Sequence, residues 1–435
     1  MALPAPFAHA ATVNVPCSVR KLVKAINTAN SSPGADTLRL ARKCTYKLTS
    51  ADTANPGNGL PAISSEITID GNGATITRAK SAPDFRILLV AGTGTLTLNK
   101  ATISGGRATT TDCPLFPGQG TCGGGILNLG TLTVNHSRVI NNIATSDLFA
   151  EGGGIDNDGT ATLNDTDVSG NTAEYTGTDL SGAAGGAIAN DGPLAVNCSH
   201  VHHNTVTVTP DTGSTATGSG IATFAQTTIK GSLISHNHAD APGGATLAAL
   251  SNGAPGTVTD TVIRDNTSSA RGGDALGGGV ATSALLTLTR TAVIGNLATA
   301  PGGTARAGGI QVGRLADLRL NNSTVRGNSA GAPDGGTAQG GGLANATGGT
   351  ITSDRSEIRG NTAKAPDGGT AQGGGIFTDV GATTLNRSAV TDNRAGDGGG
   401  IFEGPNGTVT LNNTAVKRNK PNNCAPPNSV PGCIG

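Results

Sequence analysis

Tryptophan is absent, and aromatic residues together make up 2% of the 435-residue chain. A thick globular core filled by bulky rings therefore does not fit this composition. A sugar-cleaving site walled by stacked rings fits no better, because Tyr46 and Tyr175 are the only tyrosines. The formal net charge is zero and charged residues are 13% of the chain, so no nucleic-acid partner and no polybasic membrane contact is expected. No apolar run is long enough to cross a bilayer, so no membrane span is expected.

Glycine is abundant instead, at 68 residues, and its placement is periodic. The stretch Gly152 to Ala173, GGGIDNDGTATLNDTDVSGNTA, recurs with drift to the end of the chain. Anchored on Asn171, its equivalents are Asn142, Asn204, Asn237, Asn266, Asn296, Asn328, Asn361, Asn393 and Asn419, a period of roughly 30 residues that signals a solenoid. Such a chain forms one elongated body in which each unit touches its neighbours, so length is not a domain count.

The positions before the anchor carry the architecture. Three residues earlier stands a β-branched residue in every copy, from Val139 and Val168 to Val390 and Val416, and this row is expected to point inward. Five residues earlier stands a hydroxyl, from Ser137 and Thr166 to Thr414, suited to a corner where the side chain bonds to backbone. Two positions earlier again, Asn135, Asn164, Asn197, Asn321, Asn386 and Asn412 form a second asparagine row. The intervening strand alternates Leu or Val with Thr, and the outward Thr are explained by β-propensity. Glycines of the GGGI motif permit positive φ or close backbone approach at a corner. The expected fold is an all-β, single-stranded right-handed parallel β-helix. The segments between each anchor and the next GGG, such as Thr145 to Glu151 and Glu174 to Ala184, are read as variable loops emerging from one corner.

The two ends differ. CSVRKLVKAINTAN, from Cys17 to Asn30, places Val19, Leu22, Val23, Ile26 and Ala29 at helical spacing, which predicts a short amphipathic helix. An open first coil would expose core and strand edges, so this helix is expected to cap the solenoid. Asp36 to Leu48 reads as strand, and the Pro-rich tail after Asn419 as the C-terminal cap. The resulting division is 1–10 signal-peptide remnant, 11–59 N-terminal cap, 60–419 coils and 420–435 C-terminal cap. The remnant rests on Ala8-His9-Ala10, which looks like the end of a signal-peptidase site, with its basic and apolar regions expected upstream.

The motif CSVRKLVKAINTAN resembles the cysteine-led opening (Cys-Ser-Leu-Arg-Glu-Ala-Ile) of secreted bacterial right-handed β-helix proteins, with Val19 and Lys21-Leu22-Val23 departing from it. The GGGI…Asn units are similar to the repeats of polymorphic outer-membrane and adhesin passengers. The resemblance implies an extracellular protein and is weak on activity, because β-helices host lyases, hydrolases and adhesins alike. Cysteine usage agrees with export: Cys17 with Cys44, Cys113 with Cys122, and Cys424 with Cys433 are expected disulfides, which leaves Cys198, read as a half-buried repeat residue.

Departures from the repeat mark candidate sites. Asp167, His200, His203, His236 and Asp265 gather in successive coils, in rows where His beside a carboxylate can serve as general acid or base. A basic row two before the anchors, His202, Arg264, Arg326 and Arg359, offers fork-shaped donors to an acidic glycan. Acidic residues Asp147, Glu151, Asp156, Asp158, Asp334 and Asp367 offer oxygen ligands to Ca²⁺, Asp156 and Asp158 foremost, although no compact Asp cluster with a neighbouring base can be placed and turn capping explains them as well. The expectation is a secreted, adhesin-like module that binds an extracellular polysaccharide or cell-surface component without catalysis and without an obligatory cofactor. A polysaccharide lyase or glycoside hydrolase is the alternative, distinguished by whether the histidines converge beside a groove.

Overall fold

The computed structural model describes residues 10–109, 113, 120–209 and 213–434. Apart from Ala10, the signal-peptidase sequence lies outside them. The chain winds into a parallel β-solenoid of about 11 turns. A representative turn has five strands, Ile155–Asn157, Thr160–Asn164, Asp167–Ser169, Thr172–Tyr175 and Gly182–Ala184. Each pairs with its successor one turn on, as in Ile155 with Ile188, Leu163 with Val196, Val168 with Val201, Ala173 with Val206 and Ala183 with Ala216. The first three strands of the turns join one continuous sheet, and the fourth and fifth form two separate nine-stranded stacks among the described residues.

Alternation within each strand divides inside from outside. Val139, Val168, Val201, Ile234 and Ile263 are fully buried in the main core with Leu132, Val134, Leu163 and Val196. Burying an aliphatic side chain of this size stabilises by about 1.5–3 kcal/mol, repeated turn after turn. Only in the last turn does the row loosen, where Val416 is half-buried.

The segments between anchor and GGG are not edge loops. They supply the fourth and fifth strands, which close on a second, thinner core of Ala150, Ala173, Tyr175, Ala183, Val206, Val208 and Ala216, continued by Ala270, Ala275, Ala298 and Ala305. Alanine has low β-propensity and little area to bury, so the alternation Thr-Ala-Thr there looks like loop composition. Stacking on identical neighbours supplies what propensity does not. Asp36 to Leu48 is likewise two strands, Asp36–Leu40 and Thr45–Leu48, parted by a corner at which Lys43 has φ +54°.

Buried asparagines hold the corner before the fourth strand. Oδ1 of Asn204 accepts both the main-chain N–H and the Nδ2–H of Asn171, each at 3.0 Å, while Asn171 Nδ2 also donates to Val139 O at 2.9 Å. The same pattern runs from Asn142 to Asn419, which ends on Asn423. The hydroxyl row behaves as expected: Thr166 Oγ1 donates to Asn164 O at 2.9 Å, and Ser199 Oγ accepts from Thr166 N at 3.0 Å. The second asparagine row, Asn197 to Asn164 to Asn135, extends back to Asn99. In the GGG motif the first glycine turns, Gly152 having φ +59°. The second has no room, since a Cβ on Gly153 would lie 2.4 Å from the carbonyl of Thr172.

Both ends are closed. Helix Val19–Ser31 buries Leu22, Ala25, Ile26 and Ala29 over the first turn, and Cys17–Cys44 ties it down. At the other end Cys424–Ala425 pairs with Ile401 and Phe402, and Cys424–Cys433 folds the tail back with Val430 buried. Cys113–Cys122 also forms. Cys198 is exposed rather than half-buried, because it occupies a corner position with φ +47° that turns its side chain to solvent.

Candidate functional site

The third strand of each turn, three residues long, presents two outward rows. Register places Arg138, Asp167, His200 and Leu233 side by side in one row. The other runs Ser169, His202, Ser235, Arg264, Ile294, Arg326, Arg359, Thr391 and Lys417. Immediately beyond lies a corner whose residues all have positive φ: Asn141, Gly170, His203, His236, Asp265, Gly295, Gly327, Gly360, Asp392 and Arg418. This explains the glycines, asparagine and aspartates there, and His is among the residues that tolerate the left-handed region.

The structure thus brings Asp167, His200, His202, His203, His236, Arg264 and Asp265 onto one strip. His202 Nε2 stands 3.0 Å from Asp167 Oδ1, and Asp167 Oδ2 is 3.3 Å from Arg138 Nε. The Nδ1 atoms of His202 and His203 are 2.7 Å apart. His203 and His236 stack with centroids 4.9 Å apart and planes 4° from parallel, and His236 Nε2 is 3.9 Å from Asp265 Oδ2, to which Arg264 is bound at 2.7 Å. Burial lowers the His202 pKa, Asp167 opposes this, and His203 and His200 reinforce it. The arrangement is a flat ladder along the solenoid axis. Its contacts are made pair by pair along that line, with His203 stacked on His236 near the inter-strand spacing of about 4.8 Å, and no three of its His and Asp side chains gather as a metal-ligand set among the described residues.

Farther along the same strip a shallow groove of about 260 Å³ opens over Ile294, Gly295, Arg326, Gly327, Arg359, Gly360 and Asp392. Arg326 is exposed and has no ion pair or side-chain hydrogen bond among the described residues. Arg359 reaches Glu357 at 3.2 Å. Asp392 is bound by Arg418 through two contacts of 2.7 and 2.8 Å, and this hydrogen bonding holds its carboxyl down at about 2. Of the four basic-row candidates, His202 and Arg264 are therefore committed to carboxylates, and Arg326 is the freest.

A second constellation lies on the first strand. Asp156 faces outward from Ile155–Asn157, at a position occupied in other turns by Leu127, Ala189, Ala222 and Phe377, but it is fully buried, with Glu151 and the Cys113 and Cys122 sulfurs within 4.8 Å of its carboxylate. Neither of its carboxylate oxygens has a hydrogen-bond partner among the described residues, and Oδ2 of Asp158 and of Asp191 are also without one. Glu151 is buried too, its Oε2 lying 3.8 and 3.9 Å from the Cys122 and Cys113 sulfurs. Arg86, buried nearby, donates to Cys122 O at 2.9 Å and Asn58 Oδ1 at 3.1 Å.

Electrostatics follow from that crowding. Burial, then Asp191 and Asp158, push Glu151 up to about 8; burial, then Asp191, push Asp158 to about 6. Asp156 is raised well above the carboxylate range by burial and by Glu151, Asp158 and Asp191, with Arg86 opposing; burial also raises Asp191. Residues from two successive turns and two strands thus meet in a compact acidic group that the sequence pattern alone did not place. Asp191 was missed although it sits at the position of Asp158 one turn on, in Ile188-Ala189-Asn190-Asp191-Gly192. Asp147, Asp334 and Asp367 stay apart as exposed residues, the latter two at corners with φ +63°.

No known protein family, curated protein or solved structure matches the chain.

Proposed function

We propose that this β-solenoid is a secreted, adhesin-like module that binds an extended anionic polymer, an acidic extracellular polysaccharide or a cell-surface component of that chemistry, without cleaving it. The observation that carries the reading is Arg326 in register with Arg359 on the next turn, over a glycine-edged groove, with the Arg326 guanidinium unpaired among the described residues. Two forks about 4.8 Å apart on a rigid wall match a repeating row of carboxylates or sulfates better than a single small ligand. Three disulfides and the cysteine-led N-terminal motif support an exported location. The likeness of the motif to secreted bacterial β-helix proteins, and of the repeats to adhesin passengers, supports it further.

A hydrolase or lyase is the second reading. It is favoured by Glu151 and Asp158, carboxyls raised toward neutrality as an acid catalyst requires. Against it, Glu151 and Asp156 are shut away from any polymer, and the histidines form a ladder rather than a convergent site. The test is to incubate purified protein with acidic and neutral polysaccharides and record both retention and new reducing or unsaturated ends. Salt-sensitive retention without new ends is expected. New ends that vanish in Glu151→Gln would establish the enzyme instead.

A further inference from the structure

Around Asp156 gather Glu151, which is buried with it, and the half-exposed Asp158 and Asp191, and this concentration of carboxyl groups needs a counter-charge. Arg86, which donates among others to Cys122 O and Asn58 Oδ1, acts against the burial of Asp156, yet neither Asp156 oxygen has a hydrogen-bond partner among the described residues. An ionised carboxylate buried without partner is expensive, so either protons or a cation must occupy the gap.

We propose that Asp156, Asp158 and Asp191 form a binding site for one oxygen-preferring divalent cation, independent of the polymer-binding strip. One carboxylate oxygen from each residue lies within 4.8 Å of the others. A Ca²⁺ ion with ligands at about 2.3–2.6 Å spans such a set, since oxygens on opposite sides of it stand up to about 5 Å apart. The second observation is Asp156 itself. It is wholly buried, both its oxygens lack partners among the described residues, and it reaches into the cluster from a row that is otherwise almost free of charge. Asp158 and Asp191, half-exposed at the adjoining corner, leave a side open to solvent for entry and for water ligands.

The donor set selects the metal. Carboxylate oxygens suit Ca²⁺, Mg²⁺ or Mn²⁺, and the sulfurs nearby among the described residues, Cys113 and Cys122, are joined in a disulfide and offer no thiolate to a softer ion. Ca²⁺ accepts irregular geometry more readily than Mg²⁺, which favours it for ligands fixed on stacked strands. Bound there, the ion ties the turn bearing Asp156 and Asp158 to the turn bearing Asp191, reinforcing the ladder where Asn157 meets Asn190.

The experiment uses the full chain stripped with EDTA and then titrated with CaCl₂, MgCl₂ or MnCl₂ at neutral pH, followed by calorimetry and by thermal unfolding. Expected are saturable binding of one ion per chain and a rise in Tm. Asp156→Asn and Asp191→Asn should each weaken the affinity at least about tenfold and remove the rise. Asp334→Asn should leave both intact. Both cluster variants remove negative charge without changing shape, so they should fold without metal; Asp191, being half-exposed, keeps the test valid should Asp156→Asn misfold. Absence of saturable binding by all three ions, or binding undiminished in the folded cluster variants, would overturn the proposal and leave protons as the counter-charge.

Discussion

Nδ1 of His202 lies 2.7 Å from Nδ1 of His203, so one of the two rings must donate and the other accept. The other nitrogen of His202 faces Asp167, itself held by Arg138, and His200, on the same strand as His202, lies in register with Asp167. Burial and the neighbouring histidines outweigh Asp167, and the folded His202 pKa is lowered. A lowered folded value means that the ring's contribution is fully present above the ordinary His value near 6.5, and is lost as pH falls through the folded value. Thermal unfolding at pH 7.5 and pH 5 should therefore show a larger loss on acidification for the parent protein than for His202→Gln. Equal losses would show that this ring does not report on the fold.

The buried asparagine ladder should be the most sensitive element of the solenoid. Asn237 Oδ1 accepts from both Asn204 N and Asn204 Nδ2, and its own Nδ2 donates to Val201 O and Asn266 Oδ1. Asn237→Ala strands two buried donors of the preceding turn and should cost about 3 kcal/mol, on the scale of about 1–3 kcal/mol per orphaned group. Asn164→Ala, in the half-buried outer row, should cost less than about 1 kcal/mol because water replaces its partners. Comparison of denaturation midpoints measures the difference.

What could be read from the sequence divides along physical lines. The anchor asparagines, the hydroxyl row and the row from Val139 to Val390 were legible because every turn imposes the same hydrogen bonds and the same inward direction on one position. The alternating Thr-Ala segments around Ala173 and Ala216 were not, since their burial comes from a facing strand of the same turn rather than from any local preference. The gathering of histidines was legible, but its meaning was not: the strip they share flanks a left-handed corner that selects Gly, Asn, Asp and His for backbone reasons. Asp191 escaped because its own turn has Ala189 where the preceding one has Asp156, so the cluster exists only across the stack.

Cys198 should be the single thiol available in the native protein. Seven cysteines and three disulfides leave one, and it stands exposed at a corner, next to Gly231 of the following turn, which has no side chain to cover it. A native thiol titration should find one equivalent per chain, falling to none in Cys198→Ser, with Tm changed by no more than about a degree for an exposed substitution. Two or more equivalents would mean that a disulfide is open.

Arg326 and Arg359 supply the sharpest test of the binding strip because their surroundings differ while their register is shared. Arg326 has no competing carboxylate among the described residues, whereas Arg359 is 3.2 Å from Glu357 and Arg264 is 2.7 Å from Asp265. A charge-assisted fork to a polymer carboxylate contributes about 1.5–3 kcal/mol, or roughly tenfold to a hundredfold in affinity. Arg326→Ala should therefore weaken retention on polygalacturonate by about tenfold or more. Arg359→Ala should weaken it less, and Arg264→Ala scarcely at all. Binding should also fall as salt rises, since these exposed charges are screened over about 10 Å at 0.1 M. Loss of binding that ranks Arg264 above Arg326 would move the interface toward the histidine ladder.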